Sequence, residues 1–273
     1  MKSHARPSRT RATATNVPVR GGVCLVGAGP GDPELLTMKA IKRLGSADVV
    51  LHDALISPEV LALVSPAARV QNVGKRCGQK CITQQEIISL LVSFAAEGNL
   101  VVRLKSGDPL LFGRGGEEID ALHHAGVDVE IVPGVTAAMA AAGAARISLT
   151  DRRCAEQVLI VSAHQAAGKT KADWRRLISP RTTLVVYMPG EPKNVAEALI
   201  GAGLSGQTRC MVISKVSLPE EQCYKTTLAT LYHAPSLPAP SLLVVGEIVA
   251  AAQLTTLQPI HSASPQTETE NTL

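Results

Sequence analysis

Short apolar runs alternate with amphipathic stretches through the first half of the chain. Runs such as VCLVG and LVVRL are almost continuously apolar, as is typical of strands buried on both faces of a sheet. The predicted strands are residues 23–27, 47–51, 70–73, 100–104 and 128–132. Helices are predicted at 34–44, 84–97 and 115–125, the second opening with a capping box of Thr83 and Glu86. This alternation predicts a mostly parallel sheet with helices on both sides.

A second set of apolar runs follows in the other half of the chain, at residues 157–162, 182–188, 209–214 and 241–247. Between the two sets, Pro133 and Gly134 precede an alanine-rich segment, 136–145, which we interpret as a hinge or as the first helix of a second domain. We therefore expect two α/β domains, residues 22–135 and 136–254. Ligands of such sheets bind beyond the carboxyl ends of strands, where the glycine-rich segments fall, so we expect the active site in a cleft between the domains.

The two ends of the chain differ from this pattern. Residues 1–21 are predicted to be a disordered basic leader because they hold five Lys or Arg and no acid, although a transit peptide shares this composition. Residues 255–273, rich in Ser, Thr, Gln and Pro, are predicted to be a disordered polar tail. Only about twenty residues precede the first strand and about twenty follow the last. We therefore expect a monofunctional protein.

Composition narrows the class of protein. Only 2% of residues are aromatic, which argues against base stacking and hence against a nucleic-acid partner. No apolar run reaches the ~20 residues of a membrane span, so we expect a cytoplasmic protein without a membrane partner. The six cysteines form no CxxC pair and have no zinc-site spacing, which predicts reduced thiols and no metal. The net charge of +4 suits an anionic small-molecule partner.

The segment LVGAGPGDPELLTMKA, residues 25–40, is similar to a phosphate-binding loop but departs from its pattern. A dinucleotide fingerprint has a third glycine where this chain has Asp32. Pro30 lacks the backbone N–H that a pyrophosphate would accept, and the Asp32 carboxylate would repel phosphate. The loop therefore predicts a ligand without phosphates, which disfavours a nicotinamide oxidoreductase.

Two further segments concentrate residues suited to ligand binding. In VRLKSGDPLLFGRGGEE, residues 102–118, a sharp turn at Gly107 allows close backbone approach to a ligand, although a plain strand-to-helix turn remains an alternative. In VPGVTAAMAA, residues 132–141, small side chains follow Thr136 at a predicted helix start. Such residues admit a flat ligand, but they also serve close helix packing.

Together these segments carry a resemblance to a known family. GAGPGDPELLTMKA, LHDALIS, VGKR, VRLKSGDPLLFGRGGEE, VPGVTAA, ISLTDRR, VVYM and VVGEIV occur in the order found in the tetrapyrrole methylases, over about residues 22–250. The resemblance implies a homodimer of two α/β domains with S-adenosylmethionine in the cleft between them. The resemblance is greatest to the members that methylate uroporphyrinogen III, because the chain contains GRGGEE and LTDRR. The second of these motifs is similar to the family's LTHRD. The resemblance implies transfer of two methyl groups to carbons 2 and 7, giving precorrin-2 for sirohaem or cobalamin.

The resemblance also implies roles for individual residues. Asp53 in LHDALIS matches the family's proton acceptor and Lys75 in VGKR its proton donor; without the resemblance we would interpret both as structural. The implied cofactor contacts are Pro30, Ser106, Gly107, Asp108, Leu111, Thr136, Ala137, Met188 and Val216. Because the substrate carries eight carboxylates, we expect cations near the cleft, with the candidates Arg76, Arg114, Arg152 and Arg153. The sulfonium is itself electrophilic, so no metal is expected.

Several departures from the family's pattern leave alternatives open. Ser106 stands where the family usually has a glycine, and the serine would be strained if this position required a positive φ. His52 replaces the tyrosine that usually precedes the acceptor aspartate. Pro189 and Val216 also differ from the usual small residues. One alternative is another methylase of this superfamily, acting on a later corrinoid or on a protein side chain. Another is a non-catalytic protein that senses S-adenosylmethionine.

Overall fold

The first half of the chain forms a parallel sheet. The computed structural model describes residues 21–74, 82–163, 173–179 and 181–252. Its first five strands are β1 Val23–Gly27, β2 Val49–His52, β3 Arg69–Asn72, β4 Val101–Lys105 and β5 Val129–Val132. They lie in the order β3-β2-β4-β1-β5, and every neighbouring pair is parallel. The five predicted strands are thus confirmed within two residues of their ends, with β1 and β4 buried along their whole length.

Helices cover both faces of this sheet. They are α1 Met38–Ser46, α2 Pro58–Leu61, α3 Gln84–Ala96 and α4 Gly115–His124. Ala40 and Leu44 of α1 pack on one face, whereas Leu91 and Phe94 of α3 pack on the other. The capping box of Thr83 is present, with the Glu86 N–H donating to Thr83 Oγ1 at 3.2 Å and the Thr83 N–H to Glu86 Oε2 at 2.6 Å.

The predicted helix 34–44 is wrong at its start. Asp32 caps a 3-10 turn of only three residues, Pro33–Leu35, by accepting the Glu34 N–H at 2.8 Å. The helix α1 begins later, where Thr37 Oγ1 accepts the Ala40 N–H at 3.1 Å. Thr37, the second N-cap residue of this segment, therefore marks the start of the helix. The first N–H groups of a helix have no partner within it, so a side chain that accepts from them favours a start at that point.

The second half forms a mixed sheet. Its strands are β6 Gln157–Ser162, β7 Thr182–Tyr187, β8 Arg209–Ser214, β9 Gln222–Thr227 and β10 Ser241–Val245, in the order β6-β7-β10-β8-β9. Only β6 and β7 are parallel among these pairs in the part of the chain that the structure describes. The β8–β9 link spans 215–221, too short for a parallel crossover, so these strands must run antiparallel. The sequence missed β9 because QCYKTT has no apolar run.

The helices of the second half are α5 Ala137–Ala144, α6 Trp174–Leu177 and α7 Pro192–Gly201. The alanine-rich segment is thus a helix. Its buried Ala138, Ala141 and Ala142 share a core with Val185 and Val244 of the second sheet. Within the described ranges, no helix is both long enough and apolar enough to cross a membrane. The predicted leader and tail lie outside the described residues.

Candidate active site

The loops that follow β1, β4 and β5 meet at the carboxyl edge of the first sheet. Gly29 and Gly107 pair with each other, the Gly107 N–H donating to Gly29 O at 2.7 Å and the Gly29 N–H to Gly107 O at 3.2 Å. Both have positive φ, +68° and +67°, which favours glycine. A Cβ atom on Gly27 or Gly134 would overlap the backbone of the neighbouring loop. Glycine at these positions is therefore needed for the loops to touch.

Asp108 fixes the same three-loop junction from its side chain. Its Oδ2 accepts the Gly134 N–H at 3.0 Å, and its Oδ1 accepts the Leu110 N–H at 2.8 Å. One carboxylate thus ties the loop after β4 both to itself and to the loop after β5. The turn that the sequence predicted at 106–109 is held as part of the junction.

Next to this junction lies a cavity of about 250 Å³ whose wall comes from both sheets. Asp53 and all nine residues proposed as cofactor contacts lie on it: Pro30, Ser106, Gly107, Asp108, Leu111, Thr136, Ala137, Met188 and Val216. The structure therefore brings together residues that are more than 180 positions apart in the chain. Ser106 is not among the residues with positive φ, so its replacement of glycine causes no left-handed strain.

The rest of the wall was not predicted from the sequence. It consists of Leu55, Phe112, Gly113, Tyr187, Ile213, Pro240, Ser241 and Leu242. Tyr187 lies in the motif VVYM, which could have drawn attention to it, whereas Ile213 and Leu242 sit in apolar strands where nothing in the sequence separates wall from core. Phe112 and Met188 adopt left-handed φ values of 53° and 49°. Such strain in non-glycine residues is concentrated at functional sites in proteins.

The charged side chains on the cavity wall are acidic. Asp53 and Asp108 carry carboxylates, while no Lys or Arg occurs among the described residues that line the cavity. Leu111, Met188 and Val216 supply apolar surface between the polar groups. A wall of this kind suits a ligand with a cationic centre and apolar parts, and it offers no charge partner for a phosphate.

Asp53 is held by a buried ion network. Its carboxylate, 28% exposed, pairs through Oδ1 with the buried Arg103, while Oδ2 lies 3.4 Å from the Ser106 N–H. Arg103 Nε also donates to Glu118 Oε1 at 3.1 Å, and Lys105 Nζ donates to Glu118 Oε2 at 2.9 Å. Burial, together with the positive charge of Arg103, lowers the pKa of Lys105. The network therefore fixes the carboxylate of Asp53, a residue of the cavity wall.

The three candidate substrate cations that the structure describes do not line this cavity. Arg114 is half exposed and pairs with Glu117 at 2.7 Å. Arg153 is 86% exposed and pairs with Asp151, whose pKa its hydrogen bonds lower to about 2. The carbonyl of Arg152 accepts from Arg181 at 2.7 Å. The remaining two predicted residues, Lys75 and Arg76, lie outside the described residues.

The fold is an α/β fold with two sheets, and residues from both line a cavity that is acidic and apolar. Such a cavity is typical of a protein that binds a small molecule. A model of the family Tetrapyrrole (Corrin/Porphyrin) Methylases matches residues 22–232. The chain belongs to this family, and the resemblance carried by its motifs is confirmed.

Relatives and solved structures agree with the family. The uroporphyrinogen-III C-methyltransferase of Paracoccus denitrificans is 44% identical over 239 residues, covering 85% of this chain and 83% of the relative. Siroheme synthase 1 of Yersinia enterocolitica is 46% identical over 233 residues, covering 84% of this chain. The chain spans about half the length of such siroheme synthases, 49% in this case. The uroporphyrin-III C-methyltransferase of Thermus thermophilus complexed with S-adenosylhomocysteine is 39% identical, with a TM-score of 0.73, covering 84% of this chain and 99% of that one.

Proposed function

We propose that this chain transfers methyl groups from S-adenosylmethionine to carbons 2 and 7 of uroporphyrinogen III, giving precorrin-2. The observation that carries the proposal is the cavity wall, on which nine motif-matched cofactor residues and Asp53 lie together. The names of the relatives support the same reaction, since a uroporphyrinogen-III C-methyltransferase is 44% identical to this chain over 239 residues. We propose that the product supplies sirohaem or cobalamin synthesis.

The residues of the cavity fit S-adenosylmethionine. When bound, this cofactor supplies an electrophilic methyl group on a cationic sulfur. Asp108 gives the wall a carboxylate that has no ion-pair partner among the described residues, and Asp53 adds a second whose charge is shared with Arg103, so the wall suits the sulfonium. Asp32 caps the short 3-10 turn after the first loop, its Oδ1 accepting the Glu34 N–H, so a phosphate at this loop would meet a carboxylate. The solved relative with bound S-adenosylhomocysteine supports this choice.

Asp53 is proposed as the proton acceptor. Methylation of a pyrrole carbon uses an electron pair of the ring to form the new carbon–carbon bond, and a proton must then leave the ring system. Asp53 lines the cavity while its carboxylate pairs with Arg103, so its orientation is fixed before the substrate arrives. Preorganised geometry of this kind supplies much of the rate in transfer reactions. Lys75 is proposed as the donor that returns a proton where the ring needs one.

The assembly and the substrate side are also proposed. Arg76, Arg114, Arg152 and Arg153 are the candidates for the substrate carboxylates, with the macrocycle reaching beyond the cavity to meet them. A cytoplasmic homodimer is proposed with domains at 22–135 and 136–254. Large apolar side chains such as Leu110 and Met139, 58% and 55% exposed, provide surface that a second copy can cover.

Mass spectrometry of the tetrapyrrole tests the reaction. The purified protein is incubated anaerobically with S-adenosylmethionine and uroporphyrinogen III, because air oxidises the reduced macrocycle. A gain of two methyl groups supports the proposal. Binding of S-adenosylhomocysteine without any methylation would contradict the substrate and favour a sensing role. A single methyl group at the end of the reaction would contradict the double transfer while keeping uroporphyrinogen III as the substrate.

A further inference from the structure

Thr136 stands at the N-cap of α5 but does not cap it. Its φ and ψ of −76° and 150° are those of an N-cap residue, and threonine there usually accepts an N–H of the first helical turn through its hydroxyl. Here the hydroxyl makes no such bond. The Ala138 N–H donates instead to the phenol oxygen of Tyr187 at 2.8 Å. Tyr187, from the end of β7, has taken over the cap of a helix that begins 50 residues earlier.

The Tyr187 and Thr136 hydroxyls share one short hydrogen bond in which either oxygen can be the donor. The Tyr187 phenol oxygen lies 2.5 Å from Thr136 Oγ1, so one of the two hydroxyls donates to the other. Because the phenol oxygen accepts from the Ala138 N–H, the arrangement in which the phenol donates to Thr136 Oγ1 gives each of the two oxygens one accepted hydrogen. The hydrogen of Thr136 is then free to point elsewhere. Both side chains line the cavity, so the cavity is where a partner for that hydrogen would lie.

Other contacts hold the phenol in this arrangement. The Tyr187 ring packs against the Phe112 ring, with centroids 5.1 Å apart. Burial raises the pKa of Tyr187, so the phenol keeps its hydrogen across the neutral range. Phe112 comes from the loop after β4, Thr136 from the segment after β5, and Tyr187 from the second sheet. The phenol thus joins three separate parts of the cavity wall.

We propose that Tyr187 is a positioning residue that caps α5 in place of Thr136 and thereby presents the Thr136 hydroxyl as a hydrogen-bond donor to the bound cofactor. The inference rests on the proposed S-adenosylmethionine site. The acceptor on the ligand is a carboxylate oxygen or an adenine nitrogen, which S-adenosylhomocysteine also carries. The product can therefore replace the cofactor as the probe, so that binding is measured without turnover.

A double-mutant cycle in the whole chain tests this role, with S-adenosylhomocysteine binding measured by calorimetry and thermal unfolding measured without ligand. Tyr187→Phe keeps the ring on Phe112 but frees the Ala138 N–H, which recruits the Thr136 hydroxyl as its cap. Binding should weaken about three- to tenfold, the range for one lost neutral hydrogen bond, with little change in Tm. Thr136→Val should weaken binding equally and leave the Tyr187 cap in place.

The double variant gives the decisive reading. Its binding should be no weaker than that of either single variant, because both remove the same hydrogen bond. Its Tm should fall by about 3 °C more than the two single changes together, because no hydroxyl is left to cap α5. A tyrosine that only supports the fold would not make the binding losses less than additive and, at the same time, make the Tm losses more than additive. Thr136→Ser, which keeps the hydroxyl, should bind within about twofold of wild type.

Tyr232→Phe is the matched control, since Tyr232 is 63% exposed and absent from the cavity wall. It should change neither binding nor Tm. If Tyr187→Phe binds as tightly as wild type, or if the binding losses of the two single variants add in the double variant, the inference is wrong. If wild type itself does not bind S-adenosylhomocysteine, the proposed cofactor is wrong and the ligand role of Thr136 falls with it. The exchange of caps is still tested in that case by the Tm values.

Discussion

Lys105 Nζ donates to Glu118 Oε2 at 2.9 Å, in an ion pair whose side chains are only 3% and 0% exposed. Glu118 also accepts from Arg103, which in turn pairs with Asp53. The positive charges of Arg103 and Lys105 are therefore balanced by two carboxylates, those of Asp53 and Glu118. A buried charge of this kind is tolerated only while its partners remain in place.

Glu118→Gln should destabilise the protein by about 3–5 kcal/mol, because it leaves two buried cations with one remaining carboxylate. Urea unfolding followed by circular dichroism measures the loss. Glu117→Gln is the matched control, since this neighbouring residue is 54% exposed and pairs only at the surface with Arg114. Its effect should stay below about 1 kcal/mol. Equal effects of the two substitutions would contradict a buried network centred on Glu118.

The sequence did not predict this network. Arg103 lies in the run 100–104 that was correctly predicted as a strand, Lys105 directly follows that run, and Glu118 lies in the motif GRGGEE. Nothing in the spacing tells which charges of a strand and a following helix will face each other. The nine residues that the resemblance implies as cofactor contacts came from contiguous motifs that follow strand ends, and all of them lie on the cavity wall. Ile213 and Leu242 were missed because a wall residue and a core residue look alike within an apolar strand.

A second ion pair gives a pH prediction. Hydrogen bonds from Arg43, at 2.5 and 3.0 Å, lower the pKa of Glu130 to about 2. The folded-state pKa lies below the unfolded value of 4.5, so the pair stabilises the protein above that value and the stabilisation is lost as pH falls towards 2. The shift corresponds to about 3 kcal/mol at neutral pH.

Urea unfolding of wild type and Glu130→Gln at a series of pH values measures this contribution. The variant should be less stable at pH 7 by an amount of that order, and the difference should shrink steadily between about pH 4.5 and pH 2 as Glu130 is protonated in wild type. A difference between the two proteins that stays constant through this range would contradict the assignment.

The contact between the strand-end loops predicts opposite effects for two glycines. Gly134→Ala places a Cβ against the backbone of Gly27 and Gly107, so it should destabilise the protein by about 1–3 kcal/mol and weaken ligand binding. Gly45→Ala, in α1 with open space at its Cβ, should stabilise it by about 0.5–1 kcal/mol. Thermal unfolding compares the two variants. A neutral or stabilising Gly134→Ala would mean that the loops do not touch as described.

Asp53→Asn separates proton transfer from cofactor binding. Asparagine keeps the shape of the side chain and still offers an oxygen to Arg103, but it cannot take a proton at neutral pH. Methyl transfer should fall by about 10²–10⁴-fold, the range for a lost general base, while the Kd for S-adenosylhomocysteine changes by less than about threefold. Single-turnover rates with mass-spectrometric detection and calorimetric binding give the two numbers.

Asp48→Asn is the matched control, because this aspartate accepts the Leu100 N–H away from the cavity wall. It should keep near-wild-type turnover. Near-full turnover of Asp53→Asn would remove the acceptor role, whereas equal losses of binding and rate would make Asp53 a cofactor contact instead.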